Sequence, residues 1–171
     1  MIKGATKESR GFTIIEVALT IAVGGLIFLM VFVALPSLQR SQRDATRRED
    51  VMTYLEQLKK YQTNNRGALP KGEQEWANFM NDYFSGHADP SGGVYTQEIV
   101  SCGSDVKTDE ACSATQIQDV YSSSFPYGDN TLLVVKQAYC GSNDTLVKTS
   151  NPRNVAVLYR LEGAGVYCSN T

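Results

Sequence analysis

Residues 12–35 read FTIIEVALTIAVGGLIFLMVFVAL, a run of 24 residues with one charge, Glu16. As a helix rising 1.5 Å per residue the run extends about 36 Å, enough to cross a bilayer core with some tilt. Fifteen of its positions are Leu, Ile, Val or Phe, and together they favour insertion by roughly 5–9 kcal/mol. A carboxylate at the centre of such a span costs about 3 kcal/mol, and less near an end. Glu16 is therefore tolerable, but something should reward keeping it.

Two readings of Glu16 stand side by side. It lies near the interface and reaches lipid headgroups, or it pairs with a cation inside the apolar layer. No Lys, Arg or His lies within residues 12–35, but an α-amine would serve if the chain were cut just ahead of the run. The preceding residues, MIKGATKESRG, are short, polar and basic, with Gly11 directly before Phe12. A secretory signal places its apolar region before a small-residue cleavage site. Here the order is inverted, and Phe32-Val33-Ala34 is a poor site of that kind. Charge alone leaves the orientation tied, because Lys3, Lys7 and Arg10 on one side face Arg40, Arg43, Arg47 and Arg48 on the other.

The stretch Arg10-Gly11-Phe12-Thr13-Ile14-Ile15-Glu16 resembles the prepilin peptidase motif of type IV pilins and the related pseudopilins. Strong resemblance covers about residues 8–66; beyond that it rests on architecture and paired cysteines. The resemblance implies cleavage between Gly11 and Phe12 by prepilin peptidase, N-methylation of Phe12, and pairing of Glu16 with the Phe12 amine of a neighbouring subunit. Glycine is the least obstructed residue for a protease approaching the backbone. An amine and a carboxylate, each costly alone in lipid, are tolerable as a pair, which fixes register more than it adds stability. Loss of a leader with Lys3, Lys7, Glu8 and Arg10 takes the formal net charge from −2 to about −4, so bulk charge offers nothing to nucleic acid.

Beyond Pro36, apolar residues at Leu38, Ala45, Met52, Leu55, Leu58 and Tyr61 fall near helical spacing. The helix is expected to run from Phe12 to about Thr63 and to end at Asn64-Asn65-Arg66-Gly67, with Gly67 in a left-handed cap. Such a helix cannot bury itself in one small domain. Pro36 is expected to kink or locally open it; pilins usually carry such a proline a little earlier. Gly24-Gly25 reads as a weak point or as a surface for close helix packing in the membrane. The mixed-sign run Arg40, Arg43, Asp44, Arg47, Arg48, Glu49, Asp50 reads as a solvated face with local pairs, or as ion pairing between subunits.

In the remainder, residues 73–84 have the pattern of a short amphipathic helix with Trp76, Phe79, Met80 and Tyr83 on a core face. His87 falls in a Gly/Pro/Ser-rich loop and is expected to be solvated. Residues 94–100 are a weak strand candidate; residues 131–139 and 154–161 are strong ones, and 166–168 a short last strand. The expected class is α+β, with a long N-terminal helix, transmembrane in its first half, packed on a small antiparallel sheet as in pilins. The segments are 1–11 as leader, 12–36 as assembly half, 37–66 as head-packing half and 67–171 as head.

Cys102, Cys112, Cys140 and Cys168 include no CxxC pair, and His87 has no partner histidine, so no metal or other cofactor is expected. An even count beyond a membrane segment suits disulfides outside the cell, and four cysteines allow three pairings. Cys102–Cys112 would close a short loop, leaving Cys140–Cys168 to tie the first main strand to the C-terminus, as in many pilins. A simple three-strand meander would hold those two cysteines too far apart for a bridge. Asp105, Asp109, Asp129 and Asp144 are too scattered to indicate calcium strongly. Asn143-Asp144-Thr145 fits a glycosylation pattern common by chance, and Ser122-Ser123-Ser124 reads as a loop.

No nucleotide-binding, hydrolase, zinc-protease or EF-hand motif occurs, and no enzyme is expected. The reading is a structural subunit of a filament for adhesion, surface motility or DNA uptake. Its partners would be like subunits, prepilin peptidase, the assembly machinery and an unknown surface receptor. It would pass from the bacterial cytoplasmic membrane, as a single-pass precursor, to an extracellular pilus. The alternatives are a secretion-system pseudopilin or minor pilin, and a single-pass anchored binding module that never polymerises.

Overall fold

The structure, a computed structural model, describes residues 11–102, 130–142, 145–163 and 165–171. Its elements are α1 (Ile14–Asn64), α2 (Gly72–Tyr83), β1 (Thr96–Ser101), β2 (Thr131–Lys136), β3 (Ala138–Cys140), β4 (Leu146–Lys148), β5 (Val155–Arg160) and β6 (Val166–Asn170). The chain divides into two compact units, Met1–Gln39 and Arg40–Thr171.

The described part of the first unit is almost entirely helix, exposed on every side. Among the described residues, α1 is the one helix long and apolar enough to cross a membrane. Pro36 lies inside α1 and does not end it. Its ring removes the bond that a nitrogen there would donate to the Phe32 carbonyl, and the helix continues past that gap.

In the second unit, α1 buries Asp44, Arg47, Val51, Tyr54, Leu55 and Leu58, a stripe at three- and four-residue spacing. The apolar periodicity placed Ala45 and Met52 on this face, but both are exposed. The stripe includes two charged residues instead, because partners from elsewhere in the unit satisfy them. The helix ends in a left-handed turn that starts on Arg66 (φ 56°) and continues through Gly67 (φ 82°). The Gly67 N–H donates to the Gln62 carbonyl at 2.6 Å, the six-to-one bond of a Schellman ending.

The main sheet has the order β1-β2-β5-β6. It is mixed, not antiparallel: β1 runs parallel to β2 in the register Thr96↔Thr131, while β5 is antiparallel to both β2 and β6. A parallel pair needs a long crossover, and the segment between Ser101 and Thr131 has that length. The unbroken apolar runs of β2 and β5 follow from burial on both faces. Leu132, Val134, Val155, Val157 and Tyr159 meet α1 and α2 in one cluster. On the opposite face, Leu133, Val135, Ala156 and Leu158 pack with Ala138, Leu146 and Cys168. Trp76 and Phe79 of α2 are buried as expected, and the Tyr54 ring meets Phe79 and Phe84 edge-on, each at 5.3 Å between centroids.

Residues 131–139, which read as one strand, form two. Gln137 adopts φ 57°, its N–H donates to the Asn154 carbonyl at 2.8 Å, and its carbonyl accepts from Thr149 at 2.9 Å. The chain then leaves the main sheet, and β3 pairs with β4, a strand with no sequence signal, in a separate antiparallel ribbon. This break removes the geometric obstacle to the C-terminal bridge. Cys140 sits on the ribbon, beyond the end of β2, and is bonded to Cys168 on β6 with Cα atoms 5.9 Å apart. The Cys140 N–H also donates to Asn170 Oδ1 at 3.2 Å. Cys102 is disulfide-bonded as well; Cys112 lies outside the described residues.

The Cys140–Cys168 bridge spans 28 residues, so its loss should cost about 2–4 kcal/mol through the freedom returned to the unfolded chain. Denaturant unfolding of the double variant Cys140→Ser/Cys168→Ser should show a midpoint lowered accordingly. An unchanged midpoint would mean that β6 is held by its ladder alone.

Candidate functional site

The N-terminal segment is built around the start of α1. Thr13 supplies the first cap: its Oγ1 accepts the Glu16 N–H at 3.3 Å, and its carbonyl accepts from Glu16 at 3.1 Å and from Val17 at 3.3 Å. Glu16 thus occupies the third helical position after a Thr, as in a capping box. Sequence reasoning weighed only headgroups and an intermolecular amine for Glu16 and missed this local signal, Thr-x-x-Glu. Its carboxylate points to solvent and has no partner among the described residues. A negative charge in the first turn is also favoured by the helix dipole, worth about 0.3–1 kcal/mol.

Phe12 is 84% exposed and Ile14 92% exposed. Gly11 is exposed too, and a Cβ placed there would meet nothing within 4 Å. The same holds at Gly24 and Gly25, so nothing within the chain demands glycine at those positions. Residues 1–10, the rest of the expected leader, lie outside the described residues, as do Asp105, Asp109, Asp129, Asp144, Asn143 and Ser122-Ser123-Ser124.

The charged run farther along α1 is a solvated face only in part: Arg40, Arg48 and Glu49 are exposed and Asp44 pairs locally with Arg47, but Asp44 and Arg47 are themselves buried. Arg47, 3% exposed, donates from Nε and Nη2 to the two oxygens of Asp89, a fully buried carboxylate, at 2.7 and 2.9 Å. It also reaches Ser91 Oγ at 3.0 Å, Asp44 at 3.1 Å and Glu162 at 2.9 Å. Asp89 further accepts from the Tyr159 hydroxyl at 2.7 Å and from Ser91 through both its N–H and its hydroxyl. Asp44 accepts the backbone N–H groups of Glu162 and Gly163, each at 2.9 Å. A Cβ on Gly163 would sit 2.9 Å from that carboxylate, so any larger residue there would have to displace it. Arg43 grips Glu162 with two bonds, at 2.9 and 2.6 Å. Arg48 remains exposed and lies 5.4 Å from the centre of the Tyr167 ring.

His87, expected in solvent, is half-buried. Its ring stacks on Phe84 at 4.5 Å, and its Nδ1 is 3.3 Å from Asp50. Asp50 also accepts the Tyr95 hydroxyl at 2.7 Å. The spacing of Asp44 and Arg47 hinted at a pair, but no pattern in the sequence marked Asp89, Tyr159 or Glu162 as their partners.

The network shifts its own titrations. Burial pushes the Asp89 carboxyl up, but hydrogen bonds from Arg47, Ser91 and Tyr159 outweigh it and hold it well below the usual carboxylate range. Hydrogen bonding from Arg43, opposed by burial and reinforced by Arg47, lowers Glu162 to about 2. The bond to Asp89 raises Arg47 despite its desolvation. No group of three or more metal-ligating side chains occurs among the described residues.

Two outcomes follow for the head. Arg47→Ala leaves Asp89 buried without its counter-charge and should cost about 3–5 kcal/mol, read by denaturant unfolding. Carboxylates with lowered folded-state values contribute stability that is complete above their unfolded values and lost as pH falls through the folded ones. Stability should therefore hold down to about pH 4.5 and fall toward pH 2. A Glu162→Gln variant should show a shallower fall in thermal midpoint across that window; an identical profile would remove Glu162 from the acid response.

Comparison of the chain with family models, with curated proteins and with solved structures finds no match.

Proposed function

We propose that this chain is a type IV pilin-like subunit, cut between Gly11 and Phe12, N-methylated at Phe12, and polymerised through the first half of α1 into an extracellular filament. One conjunction carries the reading. A Gly-Phe junction and an offset Glu16 open a membrane-length helix whose apolar side chains, from Phe12 to Leu38, are largely exposed. That helix needs lipid before assembly and other helices after it, since water is a poor solvent for so much contiguous apolar surface. Cleavage turns Phe12 into a charged chain start, and Glu16 of an adjacent subunit is its counter-charge. The oxidised cysteines of the head suit an exterior location.

The exposed Glu16 carboxylate allows a sharper test than its deletion. Glutamine keeps the size and polarity of the side chain but lacks the charge. Both Glu16→Ala and Glu16→Gln should insert normally, and both should abolish filaments seen by electron microscopy. Filaments on the Gln variant would show that the charge of Glu16 is dispensable for assembly; filaments on both would remove the Glu16 side chain from assembly altogether. Gly11→Val should block processing, and the N-terminal sequence of the mature protein should begin at Phe12. Long external filaments lost on deletion of the gene would favour a pilin over a secretion pseudopilin.

A further inference from the structure

A cleft of about 480 Å³ lies between α2 and β1. One wall is a single face of α2, with Trp76, Ala77 and Met80 at its centre. The other wall is formed by the consecutive residues 95–99. Side chains alternate across a strand, so five successive residues line one cleft only where it runs along the strand's edge. β1 is the outermost strand of its sheet, with β2 on one side and no strand on the other among the described residues.

Among the described residues, no strand pairs with the backbone on that open side. The Thr96 N–H donates to the Asn130 carbonyl at 3.0 Å, so Thr96 and, by alternation in a parallel ladder, Glu98 and Val100 direct their main-chain groups toward β2. Gln97 and Ile99 direct theirs into the cleft. The Gln97 side chain is committed elsewhere, accepting from the Tyr54 hydroxyl at 2.6 Å and donating to the Trp76 carbonyl at 2.8 Å. The strand edge is thereby held rigidly beside the helix.

We infer that this cleft is a docking groove for an extended peptide, which adds a strand to β1 and lays alternate apolar side chains against Ala77 and Met80, over the buried Trp76. A strand edge facing a helix supports this mode of recognition: main-chain bonds supply affinity and the helix-lined wall reads side chains. Charge selects the occupant. Glu73 and Glu98 line the cleft and no described cation does, so the fitting partner is a peptide with alternating apolar residues flanked by lysine or arginine. A second copy of β1 fits poorly, because antiparallel self-pairing about Glu98 would oppose like charges. The inference is independent of filament formation and holds for a single subunit.

Trp76 is the chain's one tryptophan and reports on the cleft directly. The test uses the full chain in detergent micelles, with the synthetic peptide Lys-Val-Thr-Val-Thr-Val-Lys, capped at both ends, as probe. The expected result is a saturable change in Trp76 emission, weakened about tenfold or more when alternate peptide amides are N-methylated, the loss of two or so net hydrogen bonds. The double variant Glu73→Lys/Glu98→Lys should lose affinity for this peptide and gain it for the version carrying Glu in place of Lys. The inference is overturned by undiminished binding of the methylated peptide, by no saturable change up to about 1 mM, by a charge-swapped variant with unaltered preference, or by emission that tracks protein concentration without peptide, which would mark the edge as a self-association surface.

Discussion

A buried guanidinium has few tolerable environments, and the head is organised around the one given to Arg47. Three separate pieces of chain converge on it: Asp44 from its own helix, Asp89 and Ser91 from the loop before β1, and Glu162 from the turn between β5 and β6. Each carboxylate is also bonded to something else, so no charge is left to face the interior alone. Asp89 holds the Tyr159 hydroxyl, and Asp44 holds two turn amides. A network of this kind is weak as a source of net stability, because desolvation offsets much of the attraction. Its effect is selective: a helix rotated or shifted by one residue would bury Arg47 against β5 without Asp89. The charges define which face of α1 meets the sheet, and Val51, Tyr54 and Leu58 then supply the apolar contact.

The sheet shows a parallel division of labour. Burial of both faces of β2 and β5 requires a cover on the side away from the helices, and no helix among the described residues packs there. The break at Gln137 supplies the cover by diverting the chain into the β3–β4 ribbon. The Cys140–Cys168 bridge joins that ribbon to the edge strand β6. The disulfide therefore secures a layer as well as a chain end. Two structurally separate devices, one ionic and one covalent, hold the two faces of one sheet.

What was legible in the sequence depended on local order. The long helix, α2, β5 and the C-terminal strand all carried periodicity or composition signals, and their limits fell within a few residues of the observed ones. The parallel pairing of β1 with β2 was not legible, because strand direction depends on where a connection returns and not on the residues of the strand. Gln137 was missed because a left-handed non-glycine residue inside an apolar run has no compositional signature. The buried stripe of α1 was misplaced for a different reason. Apolar spacing pointed to Ala45 and Met52, whereas the true face passes through Asp44 and Arg47, whose burial is tolerable only with partners more than forty residues away. At the N-terminus, the capping role of Thr13 emerged from geometry.

The place of Glu16 in the first turn bears on why a carboxylate persists in an apolar run. The helix dipole contributes about 0.3–1 kcal/mol in its favour, against roughly 2.5–3.5 kcal/mol for an acid at the centre of a membrane span. The local terms thus cover part of the cost, and cover most of it only when the helix start stays close to the interface. Sinking the segment deeper raises the desolvation cost of the carboxylate. If the segment spans a membrane, an isolated subunit would accordingly favour one depth, with its first turn at the boundary. A neighbour that offers an amine changes the balance, because the pair is tolerable at depths where neither charge is tolerable alone. On the proposed function, the carboxylate that would hold a monomer at the interface would become, beside a processed neighbour, a reason to move.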